Sequence, residues 1–257
     1  MQDETRLSGV WAAGPVETLT ATRTADGWQL DGIRRWCSGA PVLDVALVRA
    51  SAEDGERLFL VPLDVPGIHP IADSWPAIGM AESLTLDVSF DKVELPAAAA
   101  VGRPDFYLSR RGFWIGGAGV AAVWLGGAEG VASILSRRAK ANPHALAHLG
   151  SVTARLAALD ALLAMLIQTI ERPDSPLRDL ERLVRIFRAE VERGVTDVLE
   201  WTGRATGADP LSHDRDHAQR VADLTVYVRQ SHAESDLEAI GRLEQTLLNG
   251  PDQADLV

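Results

Sequence analysis

The sequence predicts an α+β protein, with an antiparallel β sandwich or barrel domain followed by a four-helix up-down bundle. Between residues 16 and 96, apolar and polar residues alternate in short runs separated by turn residues, which is typical of strands. After residue 105, apolar residues recur at helical spacing almost to the C-terminus. The 257 residues are 46% apolar and 24% charged, which excludes a disordered or fibrous chain.

The turns of the first half carry residues that tight hairpins favour. ADG at 25–27, EDGE at 53–56 and VPG at 65–67 separate the alternating segments. Such turns join strands that lie side by side and run antiparallel. The pattern changes at LPAAAAVGRPD, which predicts a β domain at 1–103 and a helical domain at 104–257.

Four long helices are predicted in the second half. They cover about Phe106–Lys140, His144–Glu171, Leu177–Gly203 and Leu211–Leu248, and the last is expected to break near His232. Short connections between long helices predict antiparallel neighbours in a bundle.

The first predicted helix is apolar nearly all round and carries small residues at Gly116, Gly119, Gly126 and Gly130. These glycines would let a neighbouring backbone approach closely. The helix is therefore expected at the centre of the bundle or in an oligomer interface. Its run Gly112–Leu135 is long enough to cross a bilayer, but it contains Glu129, and no membrane span is expected.

Charge and cysteine usage narrow the classes of partner. The formal net charge is −11, and no basic tract offsets it. Phosphate groups require a basic surface, so neither nucleic acid nor an acidic membrane is expected as a partner. A single cysteine excludes an internal disulfide, and no apolar segment of signal-peptide length follows a basic N-terminus. Both observations predict a cytoplasmic protein.

Three short motifs have simple structural explanations beside the functional ones. Gly117–Ala122 spells GxGxxA, but helix follows helix there, whereas a dinucleotide fingerprint needs a preceding strand. His213 and His217 have a metal-binding spacing, yet no third ligand is identifiable, so no metal is predicted. His232 and Glu234 lie beside an apolar helical face; either could accept a proton if buried, and otherwise both are surface residues.

Two stretches resemble the acyl-CoA dehydrogenase family. GWQLDGIRRWCSGA, at 27–40, resembles the family's G-x-x-L-x-G-x-K-x-W-[IVC]-[ST]-x-[AG]. WPAIGMAESLTLDVSFDKVELP, at 75–96, resembles its GM-x-x-[ST]-x-x-x-x-x-F-x-x-V-x-[VL]-P. The resemblance covers most of Gly9–Gly130. It implies the family's middle β domain and C-terminal helical bundle, without its N-terminal helical domain.

The resemblance implies an FAD site between these two domains. Trp36 would pack against the isoalloxazine, and Ser38 would offer its hydroxyl or its backbone N–H to the flavin N5 edge. LSGVWAAGP stands at the place of a family loop that forms the other wall. Gly9, Val10 and Trp11 of this loop would approach the pyrimidine edge and an acyl thioester.

The resemblance also bears on the ADP half of FAD and on the catalytic base. Arg138 occupies the arginine position of the family's R-x-x-F-G, which holds the ADP part. The family's catalytic glutamate aligns with Arg110 at one of its two places and with Ser231 at the other. Neither side chain can abstract an α proton, so His232 and Glu234 are the candidate catalytic bases.

The implied activity is that of an FAD-dependent oxidoreductase that desaturates an acyl thioester such as acyl-CoA. Electrons would pass to an acceptor protein or to oxygen. RQSHAESD, at 229–236, resembles the end of the bundle in flavin monooxygenase-like relatives, so oxygen-using chemistry is one alternative. A non-catalytic assembly subunit is the other. The family's bundles pair to complete the FAD site, which implies a homo- or hetero-oligomer.

Overall fold

A computed structural model of the protein describes residues 6–12, 14, 18–138 and 142–249. Their internal contacts divide them into two units, with the boundary between Arg110 and Arg111. The first unit contains the strands and the second contains the long helices, in the order that the sequence pattern predicts.

The β unit has one eight-stranded sheet in its described residues. The strands are β1 Ser8–Trp11, β2 Leu19–Arg23, β3 Gly27–Cys37, β4 Val45–Ala52, β5 Gly55–Pro62, β6 Ile68–Ile71, β7 Leu86–Pro96 and β8 Ala100–Val101. The order is β6-β7-β3-β2-β4-β5-β8, and β1 pairs with β4. The turns at 25–27 and 53–56 join antiparallel neighbours, β2–β3 and β4–β5, as predicted. The turn at 65–67 does not, because it joins β5 to β6, which pairs with β7 instead. β1 and β2 both run parallel to β4.

Alternating residues of the strands form the core of the β unit. Leu19, Leu30 and Val48 are fully buried, each on a different strand. Trp28 packs edge-to-face against Phe59 with ring centroids 5.4 Å apart. Aromatic pairs of this geometry add to the stabilisation that buried apolar area provides.

The helices begin and end close to their predicted limits, with two differences. They are α1 Phe106–Ser109, α2 Arg111–Arg138, α3 Pro143–Ile170, α4 Leu177–Thr206, α5 Asp209–His213, α6 Arg215–Val228 and α7 Glu234–Asn249. The first predicted helix is divided at Arg110, whose backbone is extended. The last is divided into α5, α6 and α7, and residues 229–233 form the break predicted near His232.

One face of α4 lies at the centre of the helical unit. Its apolar stripe, which consists of six residues at helical spacing, is fully buried: Leu180, Val184, Phe187, Val191, Val195 and Val198. Trp124 of α2 is also fully buried in this core. The stripe could be predicted because the 3.6-residue period places these residues on one side of the helix.

The prediction for the α2 glycines was wrong within this unit. A Cβ atom at Gly116, Gly119 or Gly126 would meet no heavy atom of the described residues within 4 Å, apart from the local helix backbone. Gly127 is the close-packed position instead, since a Cβ there would lie 2.9 Å from Leu224 Cδ1. Gly116, Gly119 and Gly126 therefore do not serve close backbone packing inside the bundle.

Two helices of the described chain, Arg111–Arg137 and Pro143–Ile170, are long and apolar enough to cross a membrane. In the most apolar 18-residue segment of the first helix, 50% of the residues are buried, as in the core helix of a bundle. In the corresponding segment of the second helix, 17% are buried. Length and apolar composition alone do not distinguish a span from such a core helix.

Candidate functional site

A bulge at the end of β3 determines which side chains face outward. Arg34 pairs with Val88 of β7 and Cys37 pairs with Leu86, so three residue steps on β3 match two on β7. The extra residue shifts the alternation of the strand. As a result Cys37 is fully buried, whereas Trp36 is 51% exposed.

Trp36 has an unusual backbone conformation for a bulky residue. Its φ is 59°, in the left-handed region. For residues other than glycine this region costs about 1–2 kcal/mol and is often found at functional sites. The Trp36 N–H donates a hydrogen bond to Asp87 Oδ1 at 3.0 Å, which fixes the turn.

Gly14 lies directly against the indole of Trp36. A Cβ atom at Gly14 would lie 2.5 Å from Trp36 Cζ3, and the φ of Gly14 is 74°, so only glycine fits there. The Gly14 carbonyl accepts a hydrogen bond from Arg49 Nη2 at 2.7 Å. The exposed indole is thus supported from one side and held in one position.

Trp11 supports the Ser38 backbone from inside the β unit. Its indole Nε1 donates to the Ser38 carbonyl at 3.0 Å, and its own carbonyl accepts from Arg34 Nε at 3.0 Å. Trp11 and Arg34 are only 3% and 1% exposed. Burial, and then the charge of Arg49, lower the pKa of Arg34.

Three hydroxyl groups form a chain beside this backbone. Ser38 Oγ lies 2.8 Å from Thr85 Oγ1, which lies 2.7 Å from Ser83 Oγ. Ser83 Oγ donates to the Met80 carbonyl at 2.6 Å. Ser38 is exposed, whereas Thr85 is buried. Thr85 and Ser83 were not predicted as site residues, although both stand in the second stretch that carries the family resemblance.

The other predicted site residues lie in different places. On β1, Val10 is exposed and Gly9 is half-buried. The side chain of Arg138 lies outside the described residues. His232 and Glu234 belong to the helical unit, His232 in the α6–α7 connection and Glu234 as the first residue of α7, and both are exposed. The structure therefore brings Trp11, Ser38 and β1 together, and it shows His232 and Glu234 as surface residues.

The helical unit contains a group of charges around a buried carboxylate, the Asp236 cluster, which consists of Arg185, Arg188, His232 and Asp236. Arg185 Nη1 donates to Asp236 Oδ1 at 2.6 Å, and Arg188 Nε lies 3.6 Å from Oδ2. His232 Nδ1 lies 3.8 Å from Oδ1. Asp236 is only 3% exposed. Burial alone would raise the pKa of Asp236, but His232 and the two arginines outweigh it and lower the pKa.

The sequence did not predict Asp236 as a buried residue. It stands in the polar run RQSHAESD, and its partners on α4 are about fifty positions away, 51 in the case of Arg185. No local pattern could reveal that pairing. In the part of the chain that the structure describes, no group of three or more His, Cys, Asp or Glu side chains could hold a metal ion.

No family model matches this chain. Amino sugar nitrososynthase RubN8 of Streptomyces rubradiris is 37% identical over 82 residues, which are 30% of this chain and 19% of that protein. The human mitochondrial short-chain specific acyl-CoA dehydrogenase is 29% identical over 124 residues, 46% of this chain and 30% of that protein. The matches thus span less than a third of these relatives' lengths.

Solved structures match over nearly the whole chain. Dibenzothiophene monooxygenase TdsC from Paenibacillus sp. A11-2 superimposes with a TM-score of 0.79 at 21% identity, over 95% of this chain and 70% of that one. A glutaryl-CoA dehydrogenase from Mycobacterium smegmatis, in complex with FADH2, superimposes with a TM-score of 0.76 at 18% identity, over 92% and 65%. The chain therefore has the fold that these monooxygenase and acyl-CoA dehydrogenase structures share. The α+β fold class that the sequence predicts is confirmed by this likeness.

Arg110 and Ser231 stand at the two positions where the acyl-CoA dehydrogenase pattern has its catalytic glutamate. Arg110 lies between α1 and α2, and its guanidinium stacks 4.6 Å from the ring centroid of Tyr107. Ser231 lies in the connection between α6 and α7. Neither side chain is a carboxylate, so neither can act as the glutamate of the acyl-CoA dehydrogenase pattern.

Proposed function

We propose that this chain is a flavin-dependent oxidoreductase in which Trp36 and Ser38 contact the flavin ring. The observation that carries the proposal is the exposed indole of Trp36, held in a left-handed conformation by Asp87 and Gly14. Such an indole offers a flat apolar surface to a planar ring, and Ser38 adds polar atoms beside it. The residues present therefore fit a flavin.

We propose FAD as the flavin. When bound, it would supply two-electron redox chemistry at N5. Trp36 would cover one face of the ring, and Ser38 would contact its N5 edge. Val10 and Gly9 would approach the pyrimidine edge, while Trp11 would keep the Ser38 backbone in place, since its indole N–H is bonded to the Ser38 carbonyl. Arg138 would hold the ADP part.

The first candidate reaction is desaturation of an acyl thioester such as acyl-CoA, with electrons passed to an acceptor protein or to oxygen. It needs a base for the α proton. Glu234 is the exposed first residue of α7, without a side-chain partner among the residues that the structure describes. His232 is the better choice, because imidazole is the commonest general base in proteins and Asp236 Oδ1 lies 3.8 Å from its Nδ1.

The second candidate is oxygen-using flavin chemistry of the monooxygenase kind. The absence of a carboxylate at both Arg110 and Ser231 favours it, because such chemistry does not require removal of an α proton by a glutamate. TdsC, a monooxygenase by name, is among the similar structures. In this reaction His232, paired with Asp236, would donate or accept a proton at the substrate.

Flavin binding is tested by titrating the purified chain with FAD and with FMN, followed by absorbance and by quenching of flavin fluorescence. Wild type is expected to bind FAD more tightly than FMN, and Trp36→Ala to bind it at least ten-fold more weakly. Leu60→Ala removes another exposed apolar side chain of the β unit and serves as the control. A wild-type chain that takes up neither flavin would support the non-catalytic assembly subunit and refute the proposal.

Two further assays separate the candidate reactions once flavin is bound. Bleaching of the flavin by an acyl-CoA without oxygen supports desaturation. Oxygen uptake by the chemically reduced protein that is coupled to a product, and is not merely converted to peroxide, supports the monooxygenase. His232→Ala should abolish whichever activity is found, and His232→Gln should not restore it, because glutamine cannot exchange a proton.

We also propose an oligomer, homo- or hetero-oligomeric, in the cytoplasm. The support is the exposed apolar surface of α3, where Leu146, Met165 and Ile167 are each between 44% and 49% exposed. The most apolar 18-residue segment of α3 is only 17% buried, and a long apolar helix that its own unit leaves largely uncovered is typical of an interaction surface. Light scattering of the purified chain measures the oligomer, and a strictly monomeric chain would contradict the homo-oligomer.

A further inference from the structure

We infer that Thr85 and Ser83 orient the Ser38 hydroxyl so that it accepts, and does not donate, a hydrogen bond at its exposed side. They would thus act as positioning residues for the proposed flavin site. The inference rests on the proposed function in naming flavin as the ligand and in placing Ser38 at its N5 edge. Its basis is the hydroxyl chain Ser38–Thr85–Ser83 that ends on the Met80 carbonyl.

The direction of the hydrogen bonds follows from the last acceptor. A carbonyl oxygen can only accept, so the Ser83 hydroxyl gives its single proton to Met80 O, at 2.6 Å. Ser83 must then accept from Thr85, which spends the proton of Thr85. Thr85 must in turn accept from Ser38. The Ser38 proton therefore points inward, and the remaining lone pairs of Ser38 Oγ are left for a ligand.

The hydroxyl chain lies in a part of the β unit that is fixed by backbone hydrogen bonds. Thr85 is only 5% exposed, so water does not compete readily for its hydroxyl. The Ser83 carbonyl accepts from Gly39 N–H at 3.1 Å, and the Met80 carbonyl also accepts from Ser83 N–H at 3.1 Å. These hydrogen bonds fix the backbone at both ends of the hydroxyl chain, which limits the alternative arrangements of the three hydroxyls.

An acceptor at this position would distinguish the two redox states of a flavin. Oxidised N5 has a lone pair and no hydrogen, whereas reduced N5 carries an N–H group. The inward-pointing proton leaves Ser38 Oγ able to accept from that N–H and unable to donate to the oxidised ring. Ser38, oriented by Thr85 and Ser83, would therefore favour reduced flavin and raise the reduction potential of the bound cofactor.

Two substitutions remove the orientation in different ways. Thr85→Val keeps the shape of the side chain and deletes the hydroxyl, so Ser38 becomes free to donate outward. Ser83→Ala leaves Thr85 in place but removes its acceptor, so Thr85 can turn to donate to Ser38 and release the Ser38 proton. Thr85→Ser keeps a hydroxyl in the chain and is the matched control.

The measurement is the two-electron midpoint potential of FAD bound to each variant, with flavin content and thermal unfolding as controls. Loss of one ordinary hydrogen bond should reduce the preference for reduced FAD about five-fold, which lowers the potential by about 20 mV. Thr85→Val and Ser83→Ala should both show this shift, and Thr85→Ser should keep the wild-type value. If Thr85→Val does not fold, Ser83→Ala decides.

The possible failures can be told apart. If wild type binds FAD but neither variant shifts the potential, the orientation of Ser38 is refuted and the flavin proposal stands. A shift to higher potential in either variant also refutes it, since it would mean that Ser38 donates in the wild type. If wild type binds no flavin, the proposed function fails, and this inference fails with it.

Discussion

Asp236→Asn tests whether the Asp236 cluster stabilises the helical unit. The change keeps the size of the side chain and its hydrogen-bonding oxygen but removes the negative charge. Asp236 is 3% exposed, and the side chain of Arg188 is 9% exposed. Without the carboxylate, two arginine charges would lie close together in a largely buried site, and their desolvation would no longer be compensated.

The expected loss is about 3 kcal/mol in the free energy of unfolding. Removing one partner of a buried ion pair typically costs about 3–5 kcal/mol. The lower end applies because Arg185 is partly exposed and also pairs with Glu181, at 3.0 Å. For a unit of this size, the melting temperature should fall by about 6–12 °C.

The effect of Asp236→Asn should also depend on pH. Because the pKa of Asp236 is lower in the folded chain than in the unfolded chain, the carboxylate stabilises the fold fully above its unfolded pKa of about 4. This contribution is lost as the pH falls through the lower folded pKa. The difference between wild type and Asp236→Asn should therefore shrink as the pH falls below about 4.

Urea unfolding followed by circular dichroism measures this prediction. Glu238→Gln is the matched control, since Glu238 is exposed on the same helix and pairs with Arg242 on the surface. The control should change stability by less than about 0.5 kcal/mol. If Asp236→Asn costs no more than Glu238→Gln, or if its cost does not fall in acid, the buried ion pair does not stabilise the unit.

Three further predictions concern single positions. Gly126→Ala should raise the free energy of unfolding by up to about 1 kcal/mol, because alanine has the higher helix propensity. Gly127→Ala should raise it less or lower it, because the new Cβ would meet Leu224. Equal values for the two variants in urea unfolding would contradict this packing. The Cys37 thiol is fully buried, and burial raises its pKa to about 12. At pH 8, iodoacetamide should therefore label Cys37 only in denaturant. Rapid labelling of the folded chain would refute its burial. Trp36→Gly should be about 1 kcal/mol more stable than Trp36→Ala, because only glycine adopts φ 59° without strain, and equal stability would show that the turn relaxes.

The parts of the fold that the sequence predicts well are those encoded by local periodicity. The α4 stripe from Leu180 to Val198 is buried as expected, because a one-sided helix records its inward face in every turn. Sheet order is different. The pairing of β1 and β2 with β4 joins segments that are not neighbours in sequence, and no turn residue specifies it.

The candidate site shows the same limit at the level of single residues. Thr85 and Asp236 gain their roles from partners far along the chain, Ser38 in one case and Arg185 in the other. A polar residue that will be buried looks like any other polar residue until its partner is known. Only a resemblance that extends over both partners, as it does for Ser38 and Thr85, could have pointed to such a pair.

The position of Trp36 depends on the bulge, and strand alternation alone would place it wrongly. In a regular strand Trp36 would share a face with Leu30 and Arg34, both of which are buried. The extra residue between Arg34 and Cys37 reverses this alternation, so that the thiol enters the core and the indole leaves it. The left-handed strain at Trp36 is therefore the cost of presenting a large flat side chain at the surface, next to a serine whose hydroxyl is oriented from inside. A flat exposed indole beside an oriented hydroxyl is the arrangement that the proposed flavin site requires.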